Sequence, residues 1–112
     1  MTSSTLTSRT TIRRRVRPIA PGQILSELYL RPHKVSIARF AEAAGVSRKH
    51  MSAIVNGRAA ITAEAATRIA LVLGTTPQYW LNLQNAVDLY DANGKLRRVV
   101  RKPQVLAAFH PQ

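Results

Sequence analysis

Apolar residues along this chain recur at helical rather than strand spacing. After Pro21-Gly22, the residues Ile24, Leu25 and Leu28 fall on one face of a short segment that Pro32 stops. Ile37, Phe40, Ala41 and Ala44 follow at intervals of three and four behind Ser36, whose hydroxyl suits a helix N-cap. Ser47 is the next cap, ahead of Met51, Ile54 and Val55, and Asn56-Gly57 breaks the pattern. Thr62 opens a fourth stripe of Ala66, Ile69, Ala70 and Leu73, with Gly74 in the place where a left-handed residue ends a helix. Thr76 and Pro77 open a fifth, carrying Tyr79, Trp80, Leu83, Val87 and Tyr90. The pattern predicts an all-α chain of five short helices. Beyond them Asn93-Gly94 predicts a turn, and Leu96 to Val100 a short strand or an extended tail.

Length and composition narrow this to one domain. A chain of 112 residues holds a single core, and with only six aromatic residues its apolar content is mostly Ala, Val, Leu and Ile. Without cysteine there is no disulfide framework and no thiolate metal site. No apolar run reaches the length that crosses a bilayer, so the expectation is a cytoplasmic protein with no membrane partner. The Ser/Thr/Arg-rich opening shares its composition with organelle transit peptides, and equally with a disordered basic arm.

Charge changes the picture more. The net charge is +12, and it is uneven: residues 1–20 carry five arginines and no acid, residues 92–112 five basic residues and no acid, and the stretch between only +2. Residues 1–19 show no periodicity and read as a flexible basic arm; residues 20–92 read as the helical domain and 93–112 as a basic tail. Basic arms on a nearly neutral core point to a polyanionic partner, nucleic acid first.

The second and third helices are too close in sequence to run side by side, so they cross steeply over a tight corner. Ala41 is small where they cross, Gly45 supplies a positive φ, Val46 plugs the angle, and Met51 and Ile54 fasten the second helix to the core. This is the pattern of a helix-turn-helix, over residues 36–56. Turning Met51, Ile54 and Val55 inward leaves Arg48, Lys49, Ser52 and Ala53 facing out from the helix that enters a major groove. Arg48 and Lys49 suit guanine O6 and N7, and Ala53 a thymine methyl. Ser47, Asn56 and Arg58 are placed for phosphates. His50 is either a further base or phosphate contact or a surface histidine. His33, His50 and His110 have no metal-binding spacing, and Glu27, Glu42, Glu64, Asp88 and Asp91 are isolated, so neither a metal, a cofactor nor catalysis is expected. Glu64 reads as a partner for its helix dipole.

The stretches "PGQILSELYLRP" and "FAEAAGVSRKHMSAIVNGRAAITAEAATRIALVLGTTPQYWLNLQNAVDLYDA" resemble the HigA-type antitoxin branch of the Xre (Cro/C1-like) helix-turn-helix family, from Pro21 to about Ala92. "GTTPQYWLNLQNAVDLYDA" is the branch-specific part. The resemblance implies a five-helix, lambda-repressor-like DNA-binding domain that dimerises through its C-terminal half. It further implies an autorepressor that neutralises a small RelE-like mRNA interferase toxin. It places the base-reading and phosphate-contacting positions on Ser47, Arg48, Lys49, Ser52, Ala53, Asn56 and Arg58. The glutamine common at the start of the first motif helix is replaced by Ser36-Ile37. Candidate dimer-interface residues are Trp80, Leu83, Leu89 and Tyr90, with core packing equally open for Trp80. A dimer would present its recognition helices about 34 Å apart to a palindromic operator on the nucleoid. A solitary regulator without a toxin, and a basic RNA- or ribosome-associated protein, are the alternatives.

Overall fold

The computed structural model describes residues 16–109. Helix α1 runs Pro21–Ile24 and continues without a break as a π-helical turn, Leu25–Leu30. Next come α2 (Ile37–Ala44), α3 (Arg48–Val55), α4 (Ala63–Leu73) and α5 (Pro77–Arg98), and a single 3₁₀ turn at Ala107–Phe109. No strand occurs among the described residues.

Four side-chain hydroxyls set where helices begin. Ser36, Ser47, Thr62 and Thr76 accept the backbone N–H of Arg39, His50, Ala65 and Tyr79 at 3.1, 3.1, 3.2 and 3.2 Å, each satisfying an amide with no partner inside its helix. The ends of α2, α3 and α4 are set by glycine. Gly45 has φ +70°, and the Val46 and Gly45 amides donate back to Ala41 O and Glu42 O at 3.0 and 3.2 Å. Gly57 repeats this after α3 with φ +75° and bonds from Arg58 to Ala53 O and from Gly57 to Ile54 O, at 2.8 and 3.1 Å. The C-terminal ends of α2 and α3 are therefore both closed by backbone hydrogen bonds.

The π turn overturns one sequence expectation. Leu28 belongs to the inward face at ordinary helical spacing, but it is 58% exposed, while Leu25 and Leu30, five apart, are both buried. The wider turn, with Arg31 N–H bonded to Ser26 O at 2.9 Å, brings residues five apart onto one face and swings Leu28 out.

Where α1 meets α3, backbone packs on backbone. A Cβ on Gly22 would lie 1.9 Å from the Ile54 carbonyl oxygen and 3.0 Å from Val55 Cα. Neither neighbour can rotate away. Gly22→Ala is therefore expected to cost about 1–3 kcal/mol by forcing the two helices apart, measured as a fall in urea midpoint at unchanged slope.

The core collects Leu25 and Leu30 from α1, Phe40, Ala41 and Ala44 from α2, Met51 and Ile54 from α3, Ile61 from the following loop, Ala65, Ala66, Ile69 and Ala70 from α4, and Trp80 from α5. Of the two roles open to Trp80 in the sequence, the single chain shows core packing: the side chain is 0% exposed, and its ring packs on Tyr29 and edge-on to Tyr79, with centroids at 5.7 and 5.0 Å. Its indole Nε1 donates to Thr75 Oγ1 at 2.8 Å, so the one polar atom of the ring is satisfied inside the fold. Gln84, also buried, accepts the Ile61 amide at 2.9 Å and donates to Asp88 at 3.0 Å, tying α5 to the loop after α3.

The C-terminal expectation is corrected too. Asn93-Gly94 is not a turn, and Leu96 to Arg98 are helical rather than strand, so α5 continues past residue 92 to Arg98. One glycine costs a helix about 1 kcal/mol, too little to stop one already propagated over four turns. Lys95, Arg97 and Arg98 also favour its C-terminal dipole. Residues 99–109 are exposed. At the other end, residues 1–15 of the expected basic arm lie outside the described residues. Residues 16–20 run up to α1, and Arg17 is held: its Nε and Nη2 donate to the two carboxylate oxygens of Asp91 on α5 at 3.1 and 3.0 Å.

Candidate nucleic-acid interface

The two faces of α3 separate cleanly. Met51 and Ile54 are 0% and 1% exposed, which orients the helix about its axis. Arg48, Lys49 and His50 are exposed on its first turn, and Ser52 and Ala53 are half-buried on the next. Ser47 before it, and Asn56 and Arg58 after it, are exposed. All eight thus flank or belong to one helix, with two cations at its start. Two lysine or arginine side chains beside a helix N-terminus oppose its positive end, so this arrangement costs stability unless an anion sits opposite.

Asn56 is already engaged. Its Nδ2 donates to Ser52 O at 2.9 Å and to Ser52 Oγ at 3.3 Å, which leaves its carbonyl oxygen and Arg58 as the outward groups at that end. His50 contributes its backbone N–H to the Ser47 cap, and its ring is exposed. His33 stands apart from the site, with Nδ1 2.8 Å from Tyr29 O. His110 lies outside the described residues.

Arg68 on α4 is a positioning residue that the sequence pattern does not reveal. Its Nη1 donates to Ala44 O at 3.2 Å, at the end of α2, and its Nε donates to Glu64 at 3.1 Å. A Cβ on Gly45 would fall 2.7 Å from that Nη1, so the glycine also makes room for the guanidinium. Together with Ser47, His50 and Thr62 it lines a cleft of about 280 Å³ between the corner and α4. The only sequence signal is the spacing of Glu64 and Arg68, four apart on α4.

Four carboxylates hold structure together: Glu64 with Arg68, Glu27 with Gln23, Asp88 with Gln84, and Asp91 with Arg17. No group of three or more His, Cys, Asp or Glu is placed for a metal among the described residues. The Arg17 hydrogen bonds hold the Asp91 carboxyl below its ordinary range, and the same bonds raise Arg17. A carboxyl with a lowered folded value contributes stability above its unfolded value and loses it as pH falls through the folded one. The tie is therefore present at neutral pH and opens only in acid.

Of the candidate interface residues, Leu83 is half-buried against the core, Tyr90 is half-buried, and Leu89 is 64% exposed on α5. No described helix is long and apolar enough to cross a membrane.

A family described as helix-turn-helix matches residues 27–80, from the π turn through the corner to Trp80. Antitoxin HigA-1 of Vibrio cholerae is 40% identical over 79 residues, covering 70% of this chain and 74% of that protein. The structure of the Pseudomonas aeruginosa antitoxin HigA with the higBA promoter superposes with a TM-score of 0.69 at 36% identity, over 80% of this chain and 100% of that one. Antitoxin GraA in complex with its operator gives 0.66 at 36% identity, over 80% and 95%. The fold is thus shared with proteins solved on DNA, and the chain belongs to the helix-turn-helix family, in its HigA-type antitoxin branch.

Proposed function

We propose that the protein is a sequence-specific DNA-binding repressor of its own operon and the antitoxin of a HigBA-type module, neutralising a RelE-like mRNA interferase. The observation that carries this is the first turn of α3. Arg48 and Lys49 stand outward on a helix whose axial rotation is fixed by Met51 and Ile54, against its dipole, in a fold that its relatives share while bound to operator or promoter DNA. In this reading Arg48, Lys49, Ser52 and Ala53 face base edges, and Ser47, Asn56 and Arg58 fix the register on phosphates. His50 lies between the two sets. The working unit is a cytoplasmic homodimer joined by α5 through Leu89, Tyr90 and Leu83, reading a palindrome.

A charge of +12 supports a second reading, a solitary regulator, since a basic protein gains no long-range attraction to a basic toxin. One experiment separates the two. The protein is purified from cells expressing it with its neighbouring genes, its native mass is measured, and its binding to the DNA upstream of its gene is compared with a scrambled duplex. A second small chain in fixed stoichiometry is expected. A bare homodimer that prefers the upstream duplex sinks the antitoxin role, and equal affinity for both duplexes sinks the repressor role.

A further inference from the structure

Five cations, Lys95, Arg97, Arg98, Arg101 and Lys102, fall at the end of α5 and just past it, and residues 92–112 contain no acid. All five are exposed. Among the described residues the ion pairs are Arg17–Asp91 and Arg68–Glu64, so none of the five is matched to a carboxylate. Asp91, one turn before Lys95, has both oxygens taken by Arg17. A cluster of like charge without counter-charges of its own repels itself and gains most beside a polyanion.

The helix sets the direction in which this cluster faces. Gln84, Asp88, Asp91, Lys95 and Arg98 succeed one another at alternating steps of four and three, so they form one stripe along α5. The first part of the stripe faces the far end of α3. Gln84 accepts the amide of Ile61, in the loop that follows α3, and Asp91 holds Arg17, which lines a cleft of about 440 Å³ with Val55, Asn56 and Gly57. Lys95 and Arg98 carry the same stripe about 10 Å beyond Asp91, where the core has ended and the side chains are open. The end of α5 thus projects past the C-terminal end of α3 with cations on the side that α3 occupies.

From this placement we infer that the end of α5 is a second DNA-binding element, in which Lys95, Arg97, Arg98, Arg101 and Lys102 lie along phosphates of the duplex flanking the stretch held by α3. The inference rests on the DNA reading of α3. The helix dipole accounts for Lys95, Arg97 and Arg98 on the last turn, but not for Arg101 and Lys102, which follow the helix end at Arg98. Phosphates account for all five. Flanking duplex is favoured over a separate RNA because the stripe opens on the same side as the loop whose Asn56 and Arg58 hold phosphates in that reading.

The test compares full-length protein with two full-length variants, Lys95→Gln/Arg98→Gln within the helix and Arg101→Gln/Lys102→Gln beyond it, with helix content checked by circular dichroism. Affinity is measured between about 50 and about 200 mM salt on the duplex upstream of the gene, on a scrambled duplex and on an RNA hairpin. Each variant is expected to lose about 1.8 from the slope of log affinity against log salt, so that its affinity falls about twelvefold less across this range, while preference for the upstream duplex is kept. Hydroxyl-radical protection is expected to be lost from the flanks and kept on the stretch read by α3. An unchanged slope in Arg101→Gln/Lys102→Gln overturns the inference whatever the helical variant does, because that pair lies outside α5 and does not act through its stability. A lowered slope with undiminished flank protection overturns it too, as does loss of hairpin binding alone. If the unmodified protein shows no preference for the upstream duplex, the reading of α3 fails first and this inference with it; if it shows preference and only the slope is unmoved, the inference alone fails.

Discussion

Replacing Arg48 and Lys49 together by alanine is expected to abolish preference for the cognate operator while leaving a folded and slightly more stable protein. Each well-made contact to a base pair discriminates by about 1–3 kcal/mol, so losing two lowers the specificity ratio by between about thirtyfold and about twenty-thousandfold. The sign on stability is opposite. Two cations leave the positive end of α3, and a favourable change of about 0.3–1 kcal/mol is expected from the relieved dipole. No simple structural role for these exposed side chains gives that combination. Competition binding with operator and scrambled duplexes, run beside urea denaturation, reads both effects. Retained operator preference, or a clear loss of stability, would remove Arg48 and Lys49 from the base-reading set.

Trp80→Ala has the largest expected effect on stability. The indole is fully buried between Tyr29 and Tyr79, and its truncation removes their contacts, leaves Thr75 Oγ1 without its donor and opens a cavity at the junction of α1 and α5. Truncations of this kind cost about 3–5 kcal/mol, a lowering of Tm by more than about 12 °C in a domain this small. A dimer-seam tryptophan would behave differently, giving a folded protein of half the mass. Thermal denaturation and native mass together distinguish the two, and a folded monomer at undiminished Tm would refute the core assignment.

The features legible in the sequence were those whose physics is local. A serine or threonine three residues ahead of an amide is enough to cap a helix, and Ser36, Ser47, Thr62 and Thr76 each do so. The outward direction of Arg48 and Lys49 followed from Met51 and Ile54 by helical geometry alone. Features that depend on distant residues stayed hidden. Gly22 matters only because Ile54 is beneath it, Arg68 because Ala44 ends a helix within its reach, and Gln84 because the Ile61 amide has no other partner. Trp80 could be placed only once Tyr29, on the first helix, was seen to cover it. The π turn and the run of α5 through Asn93-Gly94 are not legible in the sequence for a different reason. Turn and helix propensities there amount to about 1 kcal/mol or less, which packing and helix propagation outweigh.

The separation of α3 into a buried pair and an outward set makes the helix a replaceable part. Met51 and Ile54 are the residues of α3 buried fully in the core, and glycines follow α2 and α3, so the exposed positions of its first turn, Arg48 and Lys49, can be exchanged with little disturbance to the fold. Changes on the outward face are then felt by the fold mainly through the helix dipole, at about 1 kcal/mol or less each, and a lineage built on this scaffold can exchange a few surface residues while keeping the rest of the molecule intact.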